Sequence, residues 1–229
     1  PEPDLTTFQE IGNEMARYNG YPVGTGYETI GYTVNGDAVD WTYGDQGLIA
    51  YTPEVGSSSQ GFWPSENDII SLCQDQIHPN KIFSFVAGSD LIVYSYELSE
   101  IDVGPGDIID VDLVIQNRGL EDSNSEIQIG LAPLNDLISL ELDSYTMDEL
   151  EARDDDEFAF EGYISDLAPD GSHTGLIVSI DDGASYPRQD TIQFLIGQPS
   201  VVFWDGFENG LDDWQITGDW GLTEDAASG

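Results

Sequence analysis

The sequence predicts a chain of three unlike parts: an α/β region over residues 1–88, an all-β sandwich over 89–198, and the start of a further β-rich module over 199–229. Three observations carry that prediction. Helix-period apolar stripes mix with short apolar runs up to Gly88. From Leu91 onward, strand-length segments follow one another with turn residues between them. After "GQPS", aromatic residues crowd among Gly and Asp. A length of 229 residues exceeds the usual single domain of roughly 100 to 200 residues, so more than one unit is expected.

In the first part, "DLTTFQEIGNEMARY" sets Leu5, Phe8, Ile11, Met15 and Tyr18 three or four apart. That spacing predicts a helix over 4–18, with Asp4 as N-cap and Gly20 as its stop. "ETIGYTV" and "GLIAYTPEV" read as strands joined by a Gly- and Asp-rich loop through Trp41 and Tyr43. "SENDIISLCQDQI" opens on Ser65 with Asp68 three positions on, the pattern of a capped helix. It carries Ile69, Cys73 and Ile77 on one face and is expected to end at Pro79, with Cys73 buried as a core residue.

In the second part the segments are "LIVYSYEL", "DIIDVDLVIQ", "EIQIGLA", "ISLELDS", "EFAFEGYI", "TGLIVSID" and "TIQFLIG". Strands of this number and spacing predict an immunoglobulin-like β-sandwich. "QNRG" fits a turn after the second strand, and "RDDDE" at 153–157 reads as a solvated loop. The last part, with Trp204, Trp214 and Trp220, is too short to fold alone. No repeat of solenoid period appears.

Composition narrows the partners. Against 45 acidic residues stand 5 basic ones, a net charge of -40, so nucleic acid and anionic membranes are excluded by repulsion. The acids are spread along the chain, as expected of a protein adapted to a salty medium that screens self-repulsion over about 10 Å or less. Apolar residues at 39% argue against disorder. The single cysteine rules out an internal disulfide, and no apolar run reaches the length of a membrane span. The chain opens on Pro1 and closes on Gly229, and is expected to be a piece of something longer.

"GYTVNGDAVDWTYGDQGLIAYTPEVGSSSQGFWP" holds Tyr32, Gly36, Asp40-Trp41, Glu54 and Gly61-Phe62 in that order. On these residues the stretch from Pro3 to Gly88 resembles the C-terminal part of the catalytic domain of zinc metallocarboxypeptidases, the carboxypeptidase A and T type of peptidase family M14. The resemblance implies a secreted hydrolase that removes single residues from peptide C-termini. It implies that Glu54 is the general base taking a proton from a zinc-bound water, a role that adds roughly 10² to 10⁴ in rate. It implies that Tyr32 is the mobile tyrosine whose hydroxyl closes over the substrate. Val34, Asp37, Val39 and Thr52 would line the specificity pocket. Val39, where relatives that prefer Lys or Arg carry an acid, points to hydrophobic ends, since an unpaired buried charge is costly; Asp37 adds breadth.

In that family the zinc ligands, a His-x-x-Glu pair and a later His, and the substrate-gripping arginines all lie upstream of the matched part. His78, before Pro79, and His173, expected in a turn, lack ligand partners at metal spacing. These residues alone are therefore expected neither to hold catalytic zinc nor to hydrolyse peptides. The tail resembles the start of the jelly-roll modules of secreted proteases, in which Asp205 and Glu208 could ligate calcium. The alternative reading is a non-catalytic binding or adhesion protein whose β-domains hold a carbohydrate or cell-surface ligand.

Overall fold

The computed structural model describes residues 4–99 and 102–197. The expected third module, with Asp205 and Glu208, lies outside the described residues. So do Pro1 to Pro3 at the start of the family-like stretch.

The first part is helical. Helix α1 spans Leu5–Met15, α2 Gly26–Thr29, α3 Ala38–Gln46, α4 Ile69–Asp75 and α5 Ile77–Val86. The mixed sheet expected here is absent among the described residues, and the α/β reading of 1–88 is corrected on that point. "ETI" lies in α2 and its Ile30 end, started by a capping box in which Thr25 and Glu28 exchange hydrogen bonds. The Thr25 N–H and hydroxyl both donate to the Glu28 carboxylate and hold it below its ordinary pKa. Trp41 and Tyr43, expected in a loop, sit in α3, which Gly47 ends in the left-handed conformation at φ 69°. "GLIAYTPEV" has no regular secondary structure and no neighbouring strand among the described residues, so its apolar run makes no ladder.

Two further expectations fail for local reasons. Pro79 does not stop a helix; it occupies the first turn of α5, where its missing N–H would have had no intrahelical partner anyway. Cys73 is exposed, as are Ile69 and Ile70, because nothing among the described residues covers that face of α4. Ser65 does cap as expected, accepting from the Asn67 N–H ahead of a short 3₁₀ turn that leads into α4. The buried core of this part is small: Ile11, Ile82 and Val86, with Met15, Tyr51 and Leu120 packed against them.

The second part is a β-sandwich of two four-stranded antiparallel sheets. Its strands are β1 Leu91–Leu98, β2 Ile108–Asn117, β3 Ile127–Pro133, β4 Ile138–Leu140, β5 Ser144–Met147, β6 Asp155–Ile164, β7 Ser172–Asp181 and β8 Arg188–Ile196. The sheet orders are β1-β2-β6-β4 and β5-β3-β7-β8. Period-two alternation explains the core directly: Ile109, Val111, Leu113 and Ile115 of β2 are fully buried while Asp110 and Asp112 between them are exposed. Phe158, Phe160 and Ile164 of β6 face them from the next strand on the same side. The segment "ISLELDS" splits into β4 and β5, which belong to opposite sheets, so the chain crosses the sandwich within it.

"QNRG" does turn the chain at the end of β2. The acid run at 153–157 is not a free loop, however: Asp155 to Glu157 begin β6 and pair with β2, and Arg153 takes a positive φ of 70°. His173 lies on β7, paired with Leu195 of β8, instead of in a turn. No helix among the described residues is long and apolar enough to cross a membrane.

Candidate functional site

The residues singled out from the sequence fall on two consecutive stretches, the approach to α3 with its first turn and the irregular segment after it. Gly36 and Asp40 have a plain local cause for their spacing. The Asp40 carboxylate accepts the Gly36 N–H at 2.8 Å, and the Asp37 carboxylate accepts the Asp40 N–H at 2.8 Å. Asp37 is thus the N-cap of α3, which turns its Oδ1 toward the helix backbone. Val39 follows in the first turn of α3 and is half-buried, whereas Tyr32 and Val34 lie exposed on the loop before it.

Thr52 and Glu54 are exposed on the irregular segment 48–55. Glu54 was expected at a strand end; it is held instead by anchors on either side. Upstream, the Leu48 N–H donates to the Thr42 carbonyl at 3.1 Å, which ties the segment to α3. Tyr51 lodges edge-on against Phe8 at 5.6 Å and Phe83 at 5.8 Å, and its hydroxyl donates to the Phe8 carbonyl at 2.8 Å. Burial pushes the Tyr51 hydroxyl well above the ordinary phenol range, so it remains a donor at any physiological pH. Downstream, the Gly56 N–H donates to the Tyr21 hydroxyl at 2.9 Å. The backbone is therefore pinned three residues before Glu54 and two after it.

Tyr43, on α3, closes the same cluster from the other side. It packs edge-on to Phe8 at 5.0 Å and donates to the Asp4 carboxylate at 2.8 Å, a bond that raises its pKa. Asp4 stands at the N-cap position of α1, but its side chain serves Tyr43 and makes no cap hydrogen bond. No periodic signal in the sequence marks this aromatic cluster, because its members come from four separate parts of the chain: α1, α3, the segment after α3, and α5.

Several large apolar side chains of this part are uncovered. Tyr32, Trp41, Leu48, Val55, Phe62, Trp63 and Ile70 are all exposed, with Phe62 and Trp63 essentially uncovered.

The described residues do not form a zinc site. No group of three His, Cys, Asp or Glu among them is arranged to hold a metal ion. His78 is engaged elsewhere: its Nε2 donates to the Glu14 carbonyl at 2.8 Å, and its ring packs edge-on against Tyr18 at 4.6 Å. His173 is exposed on β7, far in sequence from any such group.

The family model described as zinc carboxypeptidase matches residues 2–78, about a third of the chain, so this stretch is zinc-carboxypeptidase-like. No curated protein matches the chain. Among solved structures, native alpha-2-macroglobulin from Escherichia coli (domain MG7 to the C-terminus) aligns at 15% identity and a TM-score of 0.38, covering 50% of this chain and 17% of that one. The sporulation control protein Spo0M from Bacillus subtilis aligns at 10% identity and a TM-score of 0.34, covering 48% and 50%. The FixG-related protein from Vibrio parahaemolyticus aligns at 11% identity and a TM-score of 0.33, covering 47% and 95%. The chain thus spans half or less of the first two of these. Scores this low carry no functional argument.

Proposed function

We propose that residues 2–78 are the closing part of a zinc-carboxypeptidase-type catalytic unit, a hydrolase that releases single residues from peptide C-termini. The observation that carries this reading is a coincidence of place. The stretch matched by the family model is the stretch whose segment 48–55 has no strand partner among the described residues and whose Phe62 and Trp63 lie uncovered. Polypeptide outside the described residues then supplies the neighbouring strand, the cover for Phe62 and Trp63, and the metal ligands.

Within that unit Glu54 is the general base that accepts a proton from the attacking water. Its pinned backbone favours this role, since a base must keep its carboxylate within hydrogen-bond reach of one water through the whole reaction. Tyr32, exposed on a loop, has the freedom to close over a bound substrate and donate a hydrogen bond. Val39 keeps the pocket apolar at its base, so hydrophobic C-terminal residues are the preferred substrates. An immunoglobulin-like sandwich follows as a second unit from about residue 89, a reading supported by its two packed antiparallel sheets, and the whole protein is secreted.

The test is a release assay on the polypeptide that includes the residues encoded ahead of Pro1. Peptides ending in Leu or Phe should lose that residue, a chelator should stop the reaction, and added zinc should restore it. Absence of any metal-dependent release from these or other peptide C-termini contradicts the proposal.

A further inference from the structure

In a chain with only five basic residues, three arginines meet where the helical part touches the sandwich. Asp90, almost fully buried at the start of β1, accepts from Arg118 Nε at 2.9 Å and Nη2 at 2.8 Å, and also from Arg188. Arg118 reaches back to Glu14 of α1 at 3.5 Å, and Arg153 pairs with Glu10 of α1. Arg188 lies 4.6 Å over the Phe85 ring of α5, and that ring stacks on Tyr186 at 4.9 Å.

The backbone between the two parts is equally fixed. The Leu120 N–H donates to the carbonyls of Val86 at 2.9 Å and Gly88 at 3.1 Å, and the Arg118 N–H to the Asp90 carbonyl at 2.9 Å. Asn117, fully buried, accepts the Asp90 and Gly119 N–H groups on its Oδ1 and donates through Nδ2 to Glu121, Leu150 and Glu151 carbonyls. Gly119 is required here, since a Cβ on it would run into the Gly88 carbonyl. The connection is thus a docked strip of backbone and has none of the slack of a linker.

The side chain of the next residue, Leu120, belongs to the sandwich by sequence but packs into the core of the helices, against Ile11, Ile82 and Val86. The two cores differ greatly in extent. The sandwich buries a continuous set of side chains from all eight strands, whereas the apolar core of the helices buries three.

We propose that the sandwich is an intramolecular brace: its 117–120 turn completes the helical core and holds α1 and α5 in place, while the sandwich needs nothing from them. Glu54 then depends on the sandwich at one remove, because Tyr51, which pins its segment, packs in the same small core. The brace follows from the seam alone and stands whether or not the peptidase reading does.

The experiment is amide hydrogen exchange on the whole chain and on its Leu120→Ala variant. Truncating Leu120 should lower protection in 5–15 and 77–86 by roughly tenfold or more and leave 109–115 and 176–180 within about twofold. A second variant, Tyr186→Ala, removes the exposed ring stacked on Phe85 and leaves the Asp90 cluster intact, and should show the same one-sided loss with smaller amplitude. Unchanged helix protection in both variants overturns the brace. So does an equal fall in both parts, which would make them one undivided folding unit. Loss of zinc-dependent activity plays no part in this readout, so its failure is distinct from a failure of the catalytic proposal.

Discussion

The helical part and the sandwich obey different rules, although both are cut from the same acidic chain. In the sandwich each strand finds a neighbour, and in β2 and β6 alternation assigns side chains to core or solvent. In the helical part, Trp63 and Phe62 are uncovered and segment 48–55 has no strand partner among the described residues. A burial pattern that closes on itself signals a self-sufficient unit; one that does not signals dependence on a neighbour.

That contrast can be broken by mutation, starting with the change of largest effect. Asp90→Ala leaves Arg118 and Arg188 facing each other without their shared carboxylate, and should cost about 3 kcal/mol or more, read as a lowered midpoint in urea. Leu113→Ala in the sandwich core should cost about 3 kcal/mol, while Trp63→Ala in the helical part should cost less than about 0.5 kcal/mol in this chain. If Trp63→Ala were as damaging as Leu113→Ala, the two parts would not differ as described.

Acid sharpens the comparison further. Asp182 sits at the sandwich end of the seam. Burial works to raise its pKa, but hydrogen bonds from Ser185, Asn124 and Ala184 outweigh it, and the carboxyl is held well below the ordinary value. The folded pKa is depressed, so this stability is present above the unfolded value of about 3.9 and is lost as pH falls below it. Asp182→Asn should therefore flatten the fall in stability between about pH 4 and pH 2; an unchanged slope would remove Asp182 from the account. The smallest expected effect is that of salt. With a charge of -40, added KCl should raise the unfolding midpoint by a few degrees, and more for the exposed acids than for the buried Asp90 cluster.

The same contrast explains what could be read from the sequence. The strands were legible because Ile109, Val111, Leu113 and Ile115 alternate with polar residues, a signal local to each strand. "GLIAYTPEV" carries the same local signal without a partner, and apolar texture cannot tell a paired strand from an unpaired one. Cys73 was misplaced for a related reason: a helical apolar stripe says which face could be buried, and only tertiary structure says whether anything covers it. Of the candidate site, order and spacing pointed to Glu54 and Tyr32, but the pins that hold the Glu54 segment, Tyr51 and Tyr21, come from contacts spanning 43 and 35 residues. The arginine seam went unread, although the scarcity of bases in so acidic a chain was itself a signal pointing to Arg118, Arg153 and Arg188.

The central claim, that the helical part closes a carboxypeptidase-type active site around Glu54, is tested most directly by kinetics of Glu54→Gln in the polypeptide extended upstream of Pro1. The account predicts that kcat for release of a C-terminal Leu or Phe falls roughly 10² to 10⁴-fold with KM little changed, since the base acts on the proton in the transition state. Hydrolysis that survives the substitution within a fewfold of the original rate would contradict it.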